Sequence, residues 1–476
     1  MSLPDHVRVL VVGAGPAGLA TAVQLARHGV PSLLVEQRHA PSDLPRATVL
    51  SLRSMELLRS WGLEEDVVAG AVEVDWHMLE CRTLAEAADG QRHPVGYPSR
   101  AQSAVLSPSA PECVAQDHLE PVLLRHLRTL APATVALGTA VTHVATDPQG
   151  TTATLRDVRT GAERRVRAEY LVAADGAHSP TRASLGIAMH GPDALLGGVS
   201  ATITAPLWDV VGAHRHGIYS VTHPGMPGVF LPAGLPDRWI AGVPSQPDGA
   251  LPAEAEVVRL VRLGAGVADL PVAVGRIGQF SSAAQLATRY RAGRAFLAGD
   301  AAHRVTPRGG TGLNIAFQDG CDLGWKLAWV LNGWAAETLL DTYEAERRPV
   351  AEHNAARSAD PQGSLRRPEQ ELPVDIGGRL AHVWERSRVS TLDLLGPGLT
   401  LFTGRDGRRW GAAAAQLRTA LPLAVRRLSP TTARAVGIIG DGGALLARPD
   451  GTPAGVLAAG ATAPALRAAV ASVAGV

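Results

Sequence analysis

Residues 7–12 form a short apolar run that ends in Gly13-Ala14-Gly15-Pro16-Ala17-Gly18. A helical pattern then stops near Gly29, and a second apolar run, 32–35, terminates at Glu36. Strand, glycine turn, helix, strand and acid in that order leave few folds open. In a G-x-G-x-x-G turn the first glycine makes the turn, the second brings backbone against a pyrophosphate, and the third lets the helix pack closely. An acid about 20 residues on accepts from ribose hydroxyls. The stretch predicts an α/β domain that binds a dinucleotide through Gly13, Gly15, Gly18 and Glu36. The apolar span 7–25 has no charged start and no nearby cleavage site, so it reads as a buried strand and helix, neither export signal nor membrane span.

A second constellation lies far downstream. The apolar run 294–298 ends in Gly299-Asp300-Ala301-Ala302-His303, continues through Pro307-Arg308-Gly309-Gly310-Thr311-Gly312-Leu313-Asn314, and enters a long helical pattern, 315–331. A carboxylate at a strand end faces a crevice, where it accepts from ligand hydroxyls. Glycines then allow close backbone approach to a flat ligand, and free N–H groups at the helix start suit an anionic ring edge. The run 170–174 delivers another acid and glycine, Asp175-Gly176, to the same side. Arg46 stands just ahead of a helical pattern, where its planar fork could neutralise a pyrophosphate. Gln116 stands just outside a helix whose expected cap is Asp117 with Glu120 three residues on, and His118 reads as structural.

Between these segments, 134–166 reads as a meander of hairpins, and about 185–280 as strands (199–203, 217–221, 228–231 and 238–243) interrupted by one helix, 253–263. Such an inserted sheet would wall the far side of the site, with Tyr219, Phe230 and Trp239 as candidates to line it, although strand aromatics more often fill cores. The charged run Tyr343 to Pro349 reads as an ion-paired solvated helix surface, 360–373 as a linker, and the tail as a small α/β appendage.

With 476 residues and 46% hydrophobic content, the chain has enough core for two or three domains. A net charge of +1 without basic runs argues against nucleic acid or an anionic membrane as partner. Cys81, Cys113 and Cys321 are odd in number and in no ligand spacing, which disfavours disulfide scaffolds and metal sites and fits a reducing cytoplasm. Lys326 is the only lysine.

The set G-A-G-P-A-G, Arg46, Gln116, Asp175-Gly176 and G-D-A-A-H-x-x-x-P-x-x-G-x-G-x-N resembles the single-component FAD-dependent aromatic hydroxylases, the group A flavoprotein monooxygenases typified by p-hydroxybenzoate hydroxylase and phenol hydroxylase. The resemblance covers about residues 5–355. It implies a discontinuous FAD-binding domain (1–75, 100–185 and 281–370), a β-rich substrate domain (76–99 and 186–280) and a thioredoxin-like C-terminal domain (390–476), the last without a C-x-x-C and so without redox activity.

Carried over, it assigns Gly13, Gly15, Ala17, Gly18, Glu36 and Gln37 to the ADP half of FAD, Arg46 and Gln116 to the pyrophosphate and ribitol region, Asp175 to FAD and NAD(P)H, and Asp300 to the ribitol. Pro307 would lie beside the isoalloxazine, and the backbone of Gly312, Leu313 and Asn314 at its pyrimidine edge. Thr311 departs from the lysine of p-hydroxybenzoate hydroxylase.

The implied reaction uses NADPH or NADH and O2, passes through a flavin hydroperoxide, and hydroxylates a small phenolic, polyketide-like ring of the kind met in antibiotic tailoring. Tyr219 and His216 are candidates to stabilise a phenolate. Baeyer–Villiger-type, decarboxylative or drug-inactivating oxygenation, or a non-catalytic flavin-fold binding protein, are the rival readings. A homodimer is a further expectation.

Overall fold

The computed structural model describes residues 3–246, 249–417 and 420–475. Its first layer is a parallel sheet in which strand His6–Val12 lies between Ser32–Glu36 and Glu163–Ala173. Ala295–Leu297 extends one side and Ala133–Leu137 the other, all parallel. These strands carry almost unbroken Val, Leu and Ala because both faces are covered. On one face, helix Pro16–Arg27 packs along the central helix Gly312–Leu331. Two glycines make the approach possible: a Cβ on Gly320 would fall 2.2 Å from the Ala17 carbonyl oxygen, and one on Gly324 2.6 Å from Gln24 Cβ.

Strand Glu163–Ala173 belongs to two structures at once. Up to Ala168 it pairs antiparallel with Gly150–Asp157, and from His6 onward its neighbour is the parallel strand. Ala133–Leu137, expected as part of the hairpin meander, is instead the parallel edge of the main sheet, because its register runs beside Ser32–Glu36.

A second, seven-stranded sheet stands over the carboxyl ends of the first. Its order is Ala273–Ser282, Leu196–Thr204, Arg238–Val243, Gly228–Pro232, His216–Val221, Asp75–Cys81 and Gln91–Pro94. Helix Glu254–Ala265 covers its outer face, over a core that includes Tyr219, Phe230 and Trp239. Those three rings, candidates for the ligand wall, are fully buried there: a Cβ on Gly264 would press 2.9 Å against Phe230. Arg238 anchors the sheet to the first layer through both carboxylate oxygens of Asp117, at 2.6 and 2.9 Å. Asp117 therefore does not cap its helix, which starts at Gln116 after Ala115 with no side-chain cap.

The third unit is a four-stranded sheet ordered Leu423–Arg427, Leu399–Thr403, Ala444–Ala447 and Pro453–Leu457, the first pair parallel and the others antiparallel, with helices Arg408–Gln416, Pro430–Ala435 and Ala463–Ala474. This is the strand arrangement of a thioredoxin-like unit. It docks on the central helix, where Trp325 and Trp329 join Leu399, Leu401 and Leu446 in one cluster.

Two charged segments are ion-paired or packed as part of the fold and less solvated than expected. Helix Asp341–Ala359 turns its charges inward: Arg347 reaches the buried Asp319 at 2.7 Å, and Glu346 receives Lys326 at 2.9 Å and Arg448 at 2.7 Å. The segment 360–373 is no free linker, because it leads into helix Pro368–Asp375, whose Glu371 pairs with Arg357 at 3.0 Å. Both read as solvated because their partners sit on distant elements. No helix among the described residues is long and apolar enough to cross a membrane.

Candidate active site

The three fingerprint glycines divide their work as steric arithmetic requires. Gly13 has φ +102°, and a Cβ there would lie 2.3 Å from the Ala174 carbonyl oxygen. A Cβ on Gly18 would lie 1.9 Å from the Gly13 oxygen, so this glycine is fixed by helix packing. A Cβ on Gly15 would meet nothing within 4 Å. Open space at that one position, in front of the start of helix Pro16–Arg27, is the cradle that a pyrophosphate would fill. Ala17 faces the protein interior, where a Cβ on Gly299 would meet its own at 3.0 Å.

Glu36 ends its strand buried, accepting from Ala14 N at 2.9 Å and from Arg38 N at 2.9 Å and Nε at 3.1 Å. It lines a narrow cleft together with Leu19, Arg38, Pro41, Glu120 and Leu124, apolar walls with charged groups beside them. Gln37 is exposed and does not line this cleft; Arg38, not singled out by the sequence, does. Neighbouring side chains alternate along the chain, and Arg38 is the one returned to Glu36.

Asp300 opens into the crevice from the end of Ala295–Leu297, accessible to water but surrounded by protein. Burial raises its carboxyl above the usual range, while His303, Arg46 and Arg304 act against that. Arg46 is thus electrically close to Asp300, with its own head exposed and hydrogen-bonded to no described residue. Gln116 ties the Arg46 loop to its helix through N–H to the Ala47 oxygen, 2.8 Å, and its amide nitrogen donates to Glu120 at 2.7 Å.

The loop from Pro307 to Asn314 is held from three directions. Pro307 is exposed, and Gly309 and Gly310 have φ of +83° and +63°. Tyr97 donates to the Gly309 oxygen at 2.9 Å, with the Gly310 oxygen at 3.2 Å, and Thr306 N donates to Ser358 Oγ at 3.0 Å. The Asn314 side chain accepts from Ser51 N at 2.7 Å and donates to Val49 O at 3.1 Å, fastening this loop to the Arg46 loop. The helix starts at Gly312 without a side-chain cap, so the N–H groups of Gly312, Leu313 and Asn314 keep the positive end of the helix open. Buried Thr311 Oγ1 has no partner among the described residues. Free donors, an orphaned hydroxyl and a carboxylate at hydroxyl reach fit the pyrimidine edge and ribitol of a flavin.

Beneath this loop, buried Asp319 accepts from His303 Nε2 at 2.6 Å, Arg347 Nε at 2.7 Å and Gly299 N at 3.1 Å. Burial opposes its ionisation, but His303 and Arg347 more than offset that and hold it below the usual range.

Two expected site residues, Tyr219 and His216, lie elsewhere, and Asp175, beside the Gly13 turn, spends its carboxylate within the protein. Asp175 accepts from Ser179 Oγ and from Thr181 N at 3.0 Å, so its carboxylate caps the short helix Pro180–Ser184; Arg182 of that helix is what reaches the Asp300 loop, donating to Ala301 O at 3.1 Å. The Tyr219 hydroxyl is consumed by backbone, donating to His214 O at 2.7 Å and accepting from His216 N at 2.9 Å. His216 is buried with its ring against those of Tyr219 and His77. Facing the flavin loop instead are Trp76, stacked on Tyr97 with ring centroids 5.1 Å apart, and half-buried Met78 and Ile218. No short motif marks Tyr97 or Trp76, since both act across long sequence separations.

Known proteins resemble the chain over its length. The profile of the FAD binding domain family matches residues 6–358. The tetracenomycin B2 monooxygenase-dioxygenase of Streptomyces olivaceus is 34% identical, with 94% of each chain covered. The aklavinone 12-hydroxylase RdmE of Streptomyces purpurascens is also 34% identical, over 94% of this chain and 95% of that one. A ternary complex of aklavinone-11 hydroxylase with FAD and aklavinone superposes with a TM-score of 0.87 at 32% identity, over the full length of both chains. The chain belongs to the FAD binding domain family and is an FAD-dependent monooxygenase.

Proposed function

We propose that the protein hydroxylates an aromatic ring of a polycyclic, polyketide-type phenol, taking electrons from NADPH or NADH in the cytoplasm. The observation that carries this reading is the apolar cluster of Trp76, Tyr97, Met78 and Ile218, held by Tyr97 against the Gly309–Gly310 turn that leads into helix Gly312–Leu331. Bound FAD supplies the activation of O2 after reduction by the nicotinamide.

The chain's own residues do the rest. Gly15 and Arg46 receive the pyrophosphate, Glu36 the adenosine ribose, and Asp300 the ribitol. The N–H groups of Gly312 to Asn314 stabilise negative charge at the pyrimidine edge. The apolar wall stacks a flat substrate and keeps water from the reacting atoms. Burial pushes the Tyr97 phenol well above its usual range, so it stays a donor to the loop and does not act as a base.

The test is NAD(P)H consumption under 18O2 with a panel of polycyclic phenols. The expected result is substrate-accelerated consumption and a product carrying one labelled oxygen. Unchanged consumption with every phenol, or unlabelled product, overturns the proposal. Two labelled oxygens would favour the double oxygenation named for the tetracenomycin relative.

A further inference from the structure

Away from the flavin loop, adjacent strands gather ligating side chains for which the oxygenation has no use. Asp75 and His77 lie two apart on Asp75–Cys81, and His216 begins the parallel neighbour His216–Val221 with its Cα opposite Asp75. Trp76, between the first two, goes to the Tyr97 cluster. One donor atom from each of Asp75, His77 and His216 lies within 4.8 Å of the other two.

Two observations point to a missing ligand. His216 is only 1% exposed, yet neither of its ring nitrogens has a hydrogen-bond partner among the described residues. Buried polar atoms are rarely left so. Moreover, His77 Nδ1 stands 3.2 Å from Asp75 Oδ1 without a hydrogen bond closing between them. Two donors on a tetrahedron with bonds of about 2.0 Å are separated by about 3.3 Å.

We propose that Asp75, His77 and His216 bind one divalent transition-metal ion of the zinc class, through two imidazoles and a carboxylate, with the remaining position left to water. Two nitrogens and one oxygen suit zinc, cobalt or nickel better than magnesium or calcium. Entry is open, since the side chains of Asp75 and His77 are 41% and 38% exposed. Burial keeps the His216 imidazole neutral, the form that offers a lone pair, and although Arg92 and His214 oppose a cation nearby, Asp75 favours one. The short sequence spacings that mark most zinc sites are absent because one ligand comes from a strand about 140 residues away.

The experiment uses FAD-loaded protein stripped with chelator, titrated with Zn2+, and with Co2+ as a visible-absorption probe. The native chain should take up one ion, show cobalt d–d bands and gain a few degrees in its thermal midpoint. His77→Gln, at an accessible position, should bind more than tenfold more weakly while its flavin spectrum and turnover stay native. Asp75→Asn gives an independent second variant with the same expectation. A native chain that retains no ion at 100-fold excess Zn2+, or a His77→Gln variant that binds as the native chain does, would overturn the site.

Discussion

In the proposed flavin crevice, the groups assigned to the ligand sit at the ends of strands or the start of a helix: Gly15 after His6–Val12, Asp300 after Ala295–Leu297, and Gly312 opening its own helix. In the sheet across from it, residues proposed to face the ligand and core-facing residues are neighbours on the same strands, as with Met78 against Leu79 and Ile218 against Tyr219. The first region is addressed by turn chemistry, which short motifs carry. The second is addressed by which way a strand is turned, which a single irregularity in register can reverse.

The largest effect that sharpens this contrast is expected among the fingerprint glycines. Gly15→Leu should keep the native thermal midpoint of the apoprotein, because φ is −77° and no atom lies within 4 Å of a Cβ there, yet lose FAD binding by at least about a hundredfold. Gly18→Ala should instead destabilise the apoprotein by about 3 kcal/mol, since its Cβ would overlap the Gly13 oxygen. FAD titration and thermal melts on both variants separate a ligand-facing glycine from a packing glycine, and matched behaviour in the two would break the distinction.

A smaller effect compares two tyrosines on the sheet side. Tyr97→Phe frees the carbonyls of Gly309 and Gly310 and should weaken FAD binding by about fivefold while loosening the coupling of NAD(P)H oxidation to product. Tyr219→Phe leaves the His214 oxygen and His216 N–H without their partner, and should cost about 1–2 kcal/mol of stability with native coupling. Coupling that falls with Tyr219→Phe and not with Tyr97→Phe would reverse the assignment of faces.

A third effect, isolated by pH, concerns the Asp450–Arg448 pair of the C-terminal unit. Burial works against ionised Asp450, but Arg448 outweighs it and holds the carboxyl at about 2, below its ordinary 3.8. A depressed carboxyl stabilises the fold fully above its unfolded value and loses that contribution as pH falls through the folded one. The native chain should therefore exceed Asp450→Asn by about 2 kcal/mol in urea unfolding near neutrality, and the gap should close between about pH 4 and pH 2. A gap independent of pH would show that the carboxylate's charge is not what holds this unit.

These contrasts also explain what the sequence could convey. The glycine turns, Glu36 and the loop from Gly299 to Asn314 are visible because each depends on residues within about twenty positions of one another, and the parallel strands because their unbroken apolar runs are local. Tyr97 on the Gly309 and Gly310 carbonyls, Asn314 on Ser51, and Arg182 on Ala301 depend on separations of 119 to 263 residues, and no local pattern encodes them. Tyr219 and His216 were attractive as phenolate partners because their side chains are chemically apt. Position decided otherwise: the hydroxyl of one is taken by backbone, and the ring of the other lies against His77. The charges of Arg347 and Glu346 looked solvated for the same reason, their buried partners Asp319 and Lys326 lying on another helix.

At the centre stands the proposed convergence of the Gly15 turn, the Arg46 loop, Asp300 and the start of helix Gly312–Leu331 on one flavin. Titrating the purified native chain with FAD while following visible absorption and flavin fluorescence tests this directly. One flavin should be taken up per chain, with a resolved shift of the near-450 nm band. A folded chain that stays colourless after dialysis against FAD would contradict it.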